Sequence, residues 1–106
     1  SMLTVIESPL FTRFWPDYWS EEERGEFVAH LALNPELGKL IVGSGGCRKI
    51  RWGVAGLGKS GGVRVIYTAR LKSGELVLLT IYSKSARDTI PAHVLRKIAE
   101  ELEHGN

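Results

Sequence analysis

Residues 76–82 place the strongest constraint on the fold, because Leu76 to Tyr82 is nearly continuous in apolar side chains. Such a run is typical of a strand that is buried on both faces, since a half-exposed strand alternates apolar and polar residues. Its longest uninterrupted stretch, Leu76–Leu79, is far too short to cross a membrane. We therefore expect a central strand in a sheet that is covered on both sides.

Three further segments have strand patterns. Residues 3–6 are largely apolar, residues 49–54 alternate between basic and apolar side chains, and residues 63–71 lead into a hairpin turn at Lys72-Ser73-Gly74. The alternation gives the second of these strands one apolar face and one basic face, and Lys49 and Arg51 lie on the basic one.

Helices are predicted from their start and stop signals. Ser8-Pro9 begins a first helix that Pro16 ends or kinks, and residues 20–23 form a capping box for a second helix, which Asn34-Pro35 stops. A last amphipathic helix follows residue 89. The order β-α-α-β-β-β-α predicts an α+β domain in which a helical hairpin packs on a mainly antiparallel sheet of about four strands.

The length of 106 residues predicts one domain over residues 1–106. Ser1, which precedes Met2, is interpreted as a remnant of cloning. Glu7 interrupts the N-terminal apolar residues, so no secretory signal is expected. The single cysteine, Cys47, cannot form an internal disulfide, and its predicted role is that of a small buried residue in a cytoplasmic protein.

The net charge of +2 conceals an asymmetry along the chain. Residues 1–38 carry seven acidic and two basic side chains, whereas eight basic and no acidic residues lie between Glu36 and Glu75. A segment with charge of one sign favours a polyanionic partner such as a nucleic-acid backbone. The alternative is a solvated surface whose charges are neutralised by the acidic helices.

Residues 53–60 match the nucleotide-binding pattern G-x-x-x-x-G-K-[ST] letter for letter. That motif binds phosphate only where a helix begins directly after the loop, because the helix N-terminus supplies the positive end. The residues after Ser60 have a strand pattern instead, so we reject a nucleotide site here. The histidines, at unrelated spacings on predicted helices, give no metal site or acid–base pair, and no cofactor is predicted.

Five residues are candidates for RNA cleavage without a metal. That chemistry needs a base for the ribose 2′-hydroxyl, positive charge for the phosphate and an acid for the leaving oxygen. Lysine and arginine supply charge, a lysine crowded by cations can act as a base, and an aromatic ring can stack on a nucleobase. If the three strands are neighbours, one concave surface brings together Lys49, Arg51, Arg64, Tyr82 and Lys84.

Each candidate has a plainer alternative. Lys49 and Arg51 could be solvated residues of the sheet, and Arg64 could be paired with a helix carboxylate. Tyr82 could be a core residue at the rim. Tyr67 is predicted to lie in the core and is not a candidate.

Three segments in sequence resemble the HigB branch of the RelE/ParE toxin superfamily. They are Gly45-Gly46-Cys47-Arg48-Lys49-Ile50-Arg51, then Gly61-Gly62-Val63-Arg64-Val65-Ile66-Tyr67, and then Leu78-Leu79-Thr80-Ile81-Tyr82-Ser83-Lys84. The likeness extends upstream to residues 33–38. The order and spacing of these segments are more specific than any one of them.

This resemblance implies a toxin of a type II toxin–antitoxin system. Such toxins bind the ribosome and cleave mRNA through the ribose 2′-oxygen, without a metal, and so stop translation. They are restrained by a cognate antitoxin, which in HigB systems commonly carries a helix-turn-helix domain and takes the complex to operator DNA. No membrane partner is implied.

The resemblance also suggests roles for individual residues. Lys49 and Arg51 match paired basic residues, one of which contacts the phosphate or serves as base, and Arg64 matches the arginine that stabilises the phosphate. Lys84 matches a basic residue after the last strand. In the RelE pattern an arginine follows this lysine, where this chain has Ser85, and a tyrosine comes later, where this chain has residues 89–91. Tyr82 is therefore the substitute candidate for stacking on a nucleobase. Additional contacts to RNA or the ribosome are predicted for Arg48, Lys59, Arg70, Lys72 and Arg87.

Two other functions compete with RNA cleavage. The ParE branch of the same fold poisons DNA gyrase, and a catalytically silent nucleic-acid binder would show the same charge. The convergent basic residues favour RNA cleavage, because a protein inhibitor has less need of them.

Overall fold

The computed structural model describes residues 3–53, 62–84 and 90–103. In chain order, the elements are strand β1 (Thr4–Glu7), helix α1 (Pro9–Phe14), a 3-10 turn (Trp15–Asp17), helix α2 (Glu21–Leu33), strands β2 (Lys39–Leu40), β3 (Cys47–Trp52), β4 (Val63–Arg70) and β5 (Glu75–Ser83), and helix α3 (Ala92–Glu103). None of these helices is long and apolar enough to span a membrane.

The five strands form one sheet in the order β1-β5-β4-β3-β2. Strand β1 runs parallel to β5, and the other three pairings are antiparallel. The predicted α+β class and mainly antiparallel sheet are therefore confirmed. The fifth strand, β2, was not predicted because it has only two residues, both exposed, and so carries no apolar alternation.

The helix boundaries follow the capping signals of the sequence. The Ser8 side chain accepts a hydrogen bond from the Phe11 amide at 3.1 Å, and Pro9 is the first residue of α1. Ser20 and Glu23 form the predicted capping box at the start of α2. The predicted caps of α3, Asp88 and Thr89, lie outside the described residues.

The sheet is covered on both faces, as the apolar run of β5 predicted. One face packs against α1 and α2 in a core that includes Phe11, Phe27, Leu31, Val65 and Leu78. The other face packs against α3, whose Leu95 and Ala99 meet a smaller cluster formed by Cys47, Ile66, Val77 and Leu79. Below, these are called the hairpin face and the α3 face.

Tyr67 is a core residue on the hairpin face, as predicted, and is fully buried. Its hydroxyl donates to the Pro35 carbonyl at 2.9 Å and accepts from the Gly38 amide at 2.8 Å, which fixes the chain between α2 and β2. Burial raises the pKa of this hydroxyl. Position 38 has to be glycine, because a Cβ there would lie 2.9 Å from the ring of Tyr67.

The nucleotide-binding pattern at residues 53–60 lies largely outside the described residues. The first described element after it is β4, which pairs antiparallel with β3 so that Val63 lies opposite Trp52. A strand follows the pattern where a phosphate-binding loop requires a helix, in agreement with its rejection.

Candidate nucleic-acid interface

Four of the five catalytic candidates share the α3 face of the sheet. In the register of β3, β4 and β5, Arg51 lies opposite Arg64, and Arg64 lies opposite Tyr82. One step along the strands, Lys49 lies opposite Ile66, and Ile66 lies opposite Thr80. Arg51, Arg64 and Tyr82 are called the outer row, and Lys49, Ile66 and Thr80 are called the inner row. Successive residues on one face of a strand are about 7 Å apart, so both rows fit within the footprint of a nucleotide.

A β-bulge in β5 places Tyr82 on this face. The register shifts between Ile66, opposite Thr80, and Tyr67, opposite Leu78, so Leu79 is the extra residue of β5. Without the bulge, Tyr82 would point the same way as Leu78, into the hairpin face. With the bulge, it packs with the α3-face cluster instead. Bulges commonly redirect side chains in this way beside functional sites.

Ser8 stabilises the bulge through two hydrogen bonds. It directly follows β1, the strand that pairs with β5. Its amide donates to the Leu78 carbonyl at 2.9 Å and its hydroxyl donates to the Leu79 carbonyl at 2.6 Å. The same hydroxyl accepts from the first turn of α1 and is 2% exposed. One serine therefore caps a helix and satisfies the carbonyl of the bulged residue.

The outer row places Arg51 and Arg64 directly opposite one another on neighbouring strands. Cross-strand partners have Cβ atoms about 5 Å apart, and like charges in that arrangement destabilise a sheet. Arg51 is exposed and Arg64 is half-buried, with one long hydrogen bond of 3.4 Å to the Gly62 carbonyl. The predicted alternative, pairing of Arg64 with a helix carboxylate, does not occur within the described residues.

Tyr82 completes the outer row and stays protonated at neutral pH. Burial raises the pKa of its hydroxyl, and the nearby Arg64 charge opposes this shift only in part. The hydroxyl is therefore a proton donor under physiological conditions, while the half-buried ring presents an aromatic surface beside the arginines.

A cleft of about 200 Å³ opens at the inner row, beneath the start of α3. Apolar side chains from three regions line it together with three polar residues: Ile41, Lys49, Ile66, Thr80, Tyr82, Ile90 and Leu95. Thr80 is 5% exposed, and its hydroxyl has no hydrogen-bond partner among the described residues. The cleft therefore combines apolar walls with an unused hydroxyl and a lysine.

The other predicted site residues lie elsewhere. Lys84 is exposed and directly follows β5, next to the outer row. Arg48 lies on the hairpin face, where its guanidinium donates to the Gly38 carbonyl at 2.7 Å and to the Glu36 carbonyl at 3.2 Å. These bonds hold the segment before β2, so Arg48 has a structural role.

The remaining basic residues are not part of this surface as described. Arg70 is six residues from Arg64 at the far end of β4, where it binds the Ala99 carbonyl of α3 and lies 3.9 Å from Glu75. Lys72 is exposed in the adjacent hairpin turn. The predicted contacts of Lys59 and Arg87 fall outside the described residues.

Thr80 is the site residue that sequence reasoning missed. It interrupts the apolar run of β5 with a single hydroxyl, which is the signal that could have singled it out. Strand alternation would still have assigned it to the wrong face, because the bulge is invisible in the sequence.

Taken together, these features define a small α+β domain with a basic, partly aromatic surface on one face of its sheet. No family model matches the chain. Its structure is similar to that of a variant of the E. coli toxin RelE in the free state, with a TM-score of 0.62 over the whole of both chains and 13% identical residues. The chain therefore has the RelE-like fold, while the HigB-like subtype stays a prediction.

Proposed function

We propose that this protein is the toxin of a type II toxin–antitoxin system and acts as a ribosome-dependent mRNA endonuclease. The observation that carries the proposal is the outer row, in which Arg51, Arg64 and Tyr82 lie side by side on a RelE-like fold with Lys49 one step away. The row gathers two arginines and an aromatic ring on one face of the sheet, which are groups that bind phosphate and stack on nucleobases.

In the proposed reaction, Arg64 stabilises the negative charge that grows on the scissile phosphate, because a guanidinium binds phosphate oxygens in a bidentate manner. Arg51 binds the same phosphate, and Lys49 accepts the proton of the 2′-hydroxyl, because a guanidinium stays protonated. The 2′-oxygen bonds to phosphorus as the bond from phosphorus to the 5′-oxygen breaks, and the leaving 5′-oxygen takes up a proton from solvent. Tyr82 stacks on a neighbouring nucleobase with its ring, and Lys84 adds charge at the edge of the surface.

The partners of this proposal are the ribosome with its mRNA and a cognate antitoxin. A HigA-like antitoxin with a helix-turn-helix domain is expected from the resemblance in sequence, and operator DNA is then contacted through the antitoxin. Binding of the toxin to ribosomes should weaken as ionic strength rises, because phosphate contacts release counterions.

Primer extension on a reporter mRNA in a purified translation system tests this proposal. We expect new 5′ ends within the reading frame that depend on both the protein and the ribosome. The Arg64→Gln variant should lose them, whereas Arg13→Gln, which removes the same charge from exposed α1, should keep them. Intact mRNA with and without ribosomes would overturn the proposal, and inhibition of gyrase supercoiling by the same preparation would then identify the ParE-like activity.

A further inference from the structure

The cleft at the inner row has features that cleavage of the phosphate does not use. Its walls include Ile41, Ile66, Ile90 and Leu95, none of which can take part in acid–base chemistry. Thr80 as a whole residue is 5% exposed, and its hydroxyl makes no hydrogen bond among the described residues. The hydroxyl oxygen is not one of the buried polar atoms that lack a partner, so it is accessible at the cleft that Thr80 lines. A hydroxyl that the fold does not use and that is accessible in an apolar cleft is available to bond a ligand there.

The cleft also has the right size and position for part of an RNA substrate. Its volume of about 200 Å³ is below the roughly 300 to 1,000 Å³ of pockets that hold drug-sized ligands, which suits a single planar ring system. Thr80 lies one step from Tyr82 along β5, so a phosphate held at the outer row leaves its attached base within reach of the inner row.

We propose that this cleft holds one nucleobase of the mRNA and that Thr80 is the residue that reads its edge. The inference rests on the proposed function, because it treats the outer row as the phosphate site. The apolar walls enclose the faces of the base, and the hydroxyl of Thr80, which can donate or accept, bonds to an edge atom. The hydrogen bond makes the cleft selective among the four bases.

Methyl NMR tests the cleft without the ribosome. The δ1 methyl groups of Ile41, Ile66 and Ile90 report on the cleft. The δ1 methyl of Ile50 and the γ methyls of Val65, in the hairpin-face core, are internal controls. On titration with the four nucleoside 3′-monophosphates, we expect at least one nucleotide to shift the cleft methyls and leave the controls unmoved. No shift at millimolar nucleotide, or equal shifts in both groups, would overturn the assignment of the cleft.

Two substitutions separate the hydroxyl from the shape of the residue. Thr80→Val removes the hydroxyl with little change of shape and should weaken the preferred nucleotide roughly threefold to tenfold, the value of one hydrogen bond. Thr80→Ser keeps the hydroxyl and should retain the preference. Both variants should unfold in urea at or near the wild-type midpoint, because Thr80 makes no internal hydrogen bond to lose. Equal nucleotide preference in all three proteins would refute the role of Thr80.

Mapping of cleavage sites on mRNA distinguishes failure of this inference from failure of the proposed function. Thr80→Val should cleave with a changed distribution of bases at the cut sites. An unchanged distribution in an active variant would refute the inference and leave the endonuclease standing. Intact mRNA with the wild-type protein, combined with Thr80-dependent methyl shifts, would instead refute the endonuclease and leave a nucleotide-binding cleft.

Discussion

Replacing Arg64 by glutamine should make the protein inactive without making it less stable. Arg64 lies directly opposite Arg51, and its resolved hydrogen bond, to the Gly62 carbonyl, is long at 3.4 Å. Arg64 makes no ion pair among the described residues, so loss of its charge should change the free energy of unfolding by less than about 1 kcal/mol. Glutamine keeps most of the side-chain stem, which limits any loss of packing.

The effect of Arg64→Gln on catalysis should be much larger than its effect on stability. Loss of one group that stabilises developing charge in a transition state typically lowers the rate about 100- to 1,000-fold, or roughly 2.7 to 4 kcal/mol. Urea unfolding followed by tryptophan fluorescence measures the effect on stability, and mRNA cleavage in a purified translation system measures the effect on catalysis.

Two results would refute this reasoning. Cleavage within about threefold of wild type would show that Arg64 does not stabilise the transition state. A lower urea midpoint would show that Arg64 supports the fold, and the loss of activity would then be secondary. Arg13→Gln is the control for the loss of one positive charge and should be close to wild type in both assays, since Arg13 is exposed on the hairpin side.

Three further predictions concern stability. Ser8→Ala should lower the free energy of unfolding by about 2 to 4 kcal/mol, because it removes a helix cap and the hydrogen bond to the Leu79 carbonyl. The variant should also cleave less mRNA. A urea midpoint close to that of the wild type would contradict this prediction. Tyr67→Phe should lower the free energy of unfolding by about 1 to 3 kcal/mol, because two hydrogen bonds are lost. Cleavage by the folded variant should be unchanged. Urea unfolding and mRNA cleavage, measured on the same preparation, test both expectations. Burial raises the pKa of Cys47, Tyr67 and Tyr82, so these groups lose protons more readily in the unfolded chain. The urea midpoint should therefore fall as pH rises above 9.0, the ordinary pKa of a thiol. A urea midpoint that rises with pH in this range would contradict the burial of these three groups.

Much of the fold was predictable because its signals are local. Ser8, Ser20 and Pro16 mark helix boundaries through bonds and restrictions within a few residues, and the structure has those boundaries where the sequence places them. The apolar run of β5 predicted burial on both faces for the same reason. Strand β2 was missed, since two exposed residues at an edge follow no pattern that a sequence could reveal.

The sequence by itself determined which residues supply charge to the candidate site, because Lys49 and Arg51 alternate with Ile50 and Trp52, and Arg64 lies between Val63 and Val65. Only the tertiary structure decided which other side chains join them. The bulge at Leu79 turns Thr80 and Tyr82 onto the basic face, and it is held by Ser8, which is 71 positions away in the chain. A single extra residue reverses the facing of everything after it in a strand, and a contact between distant segments leaves no local trace in the sequence.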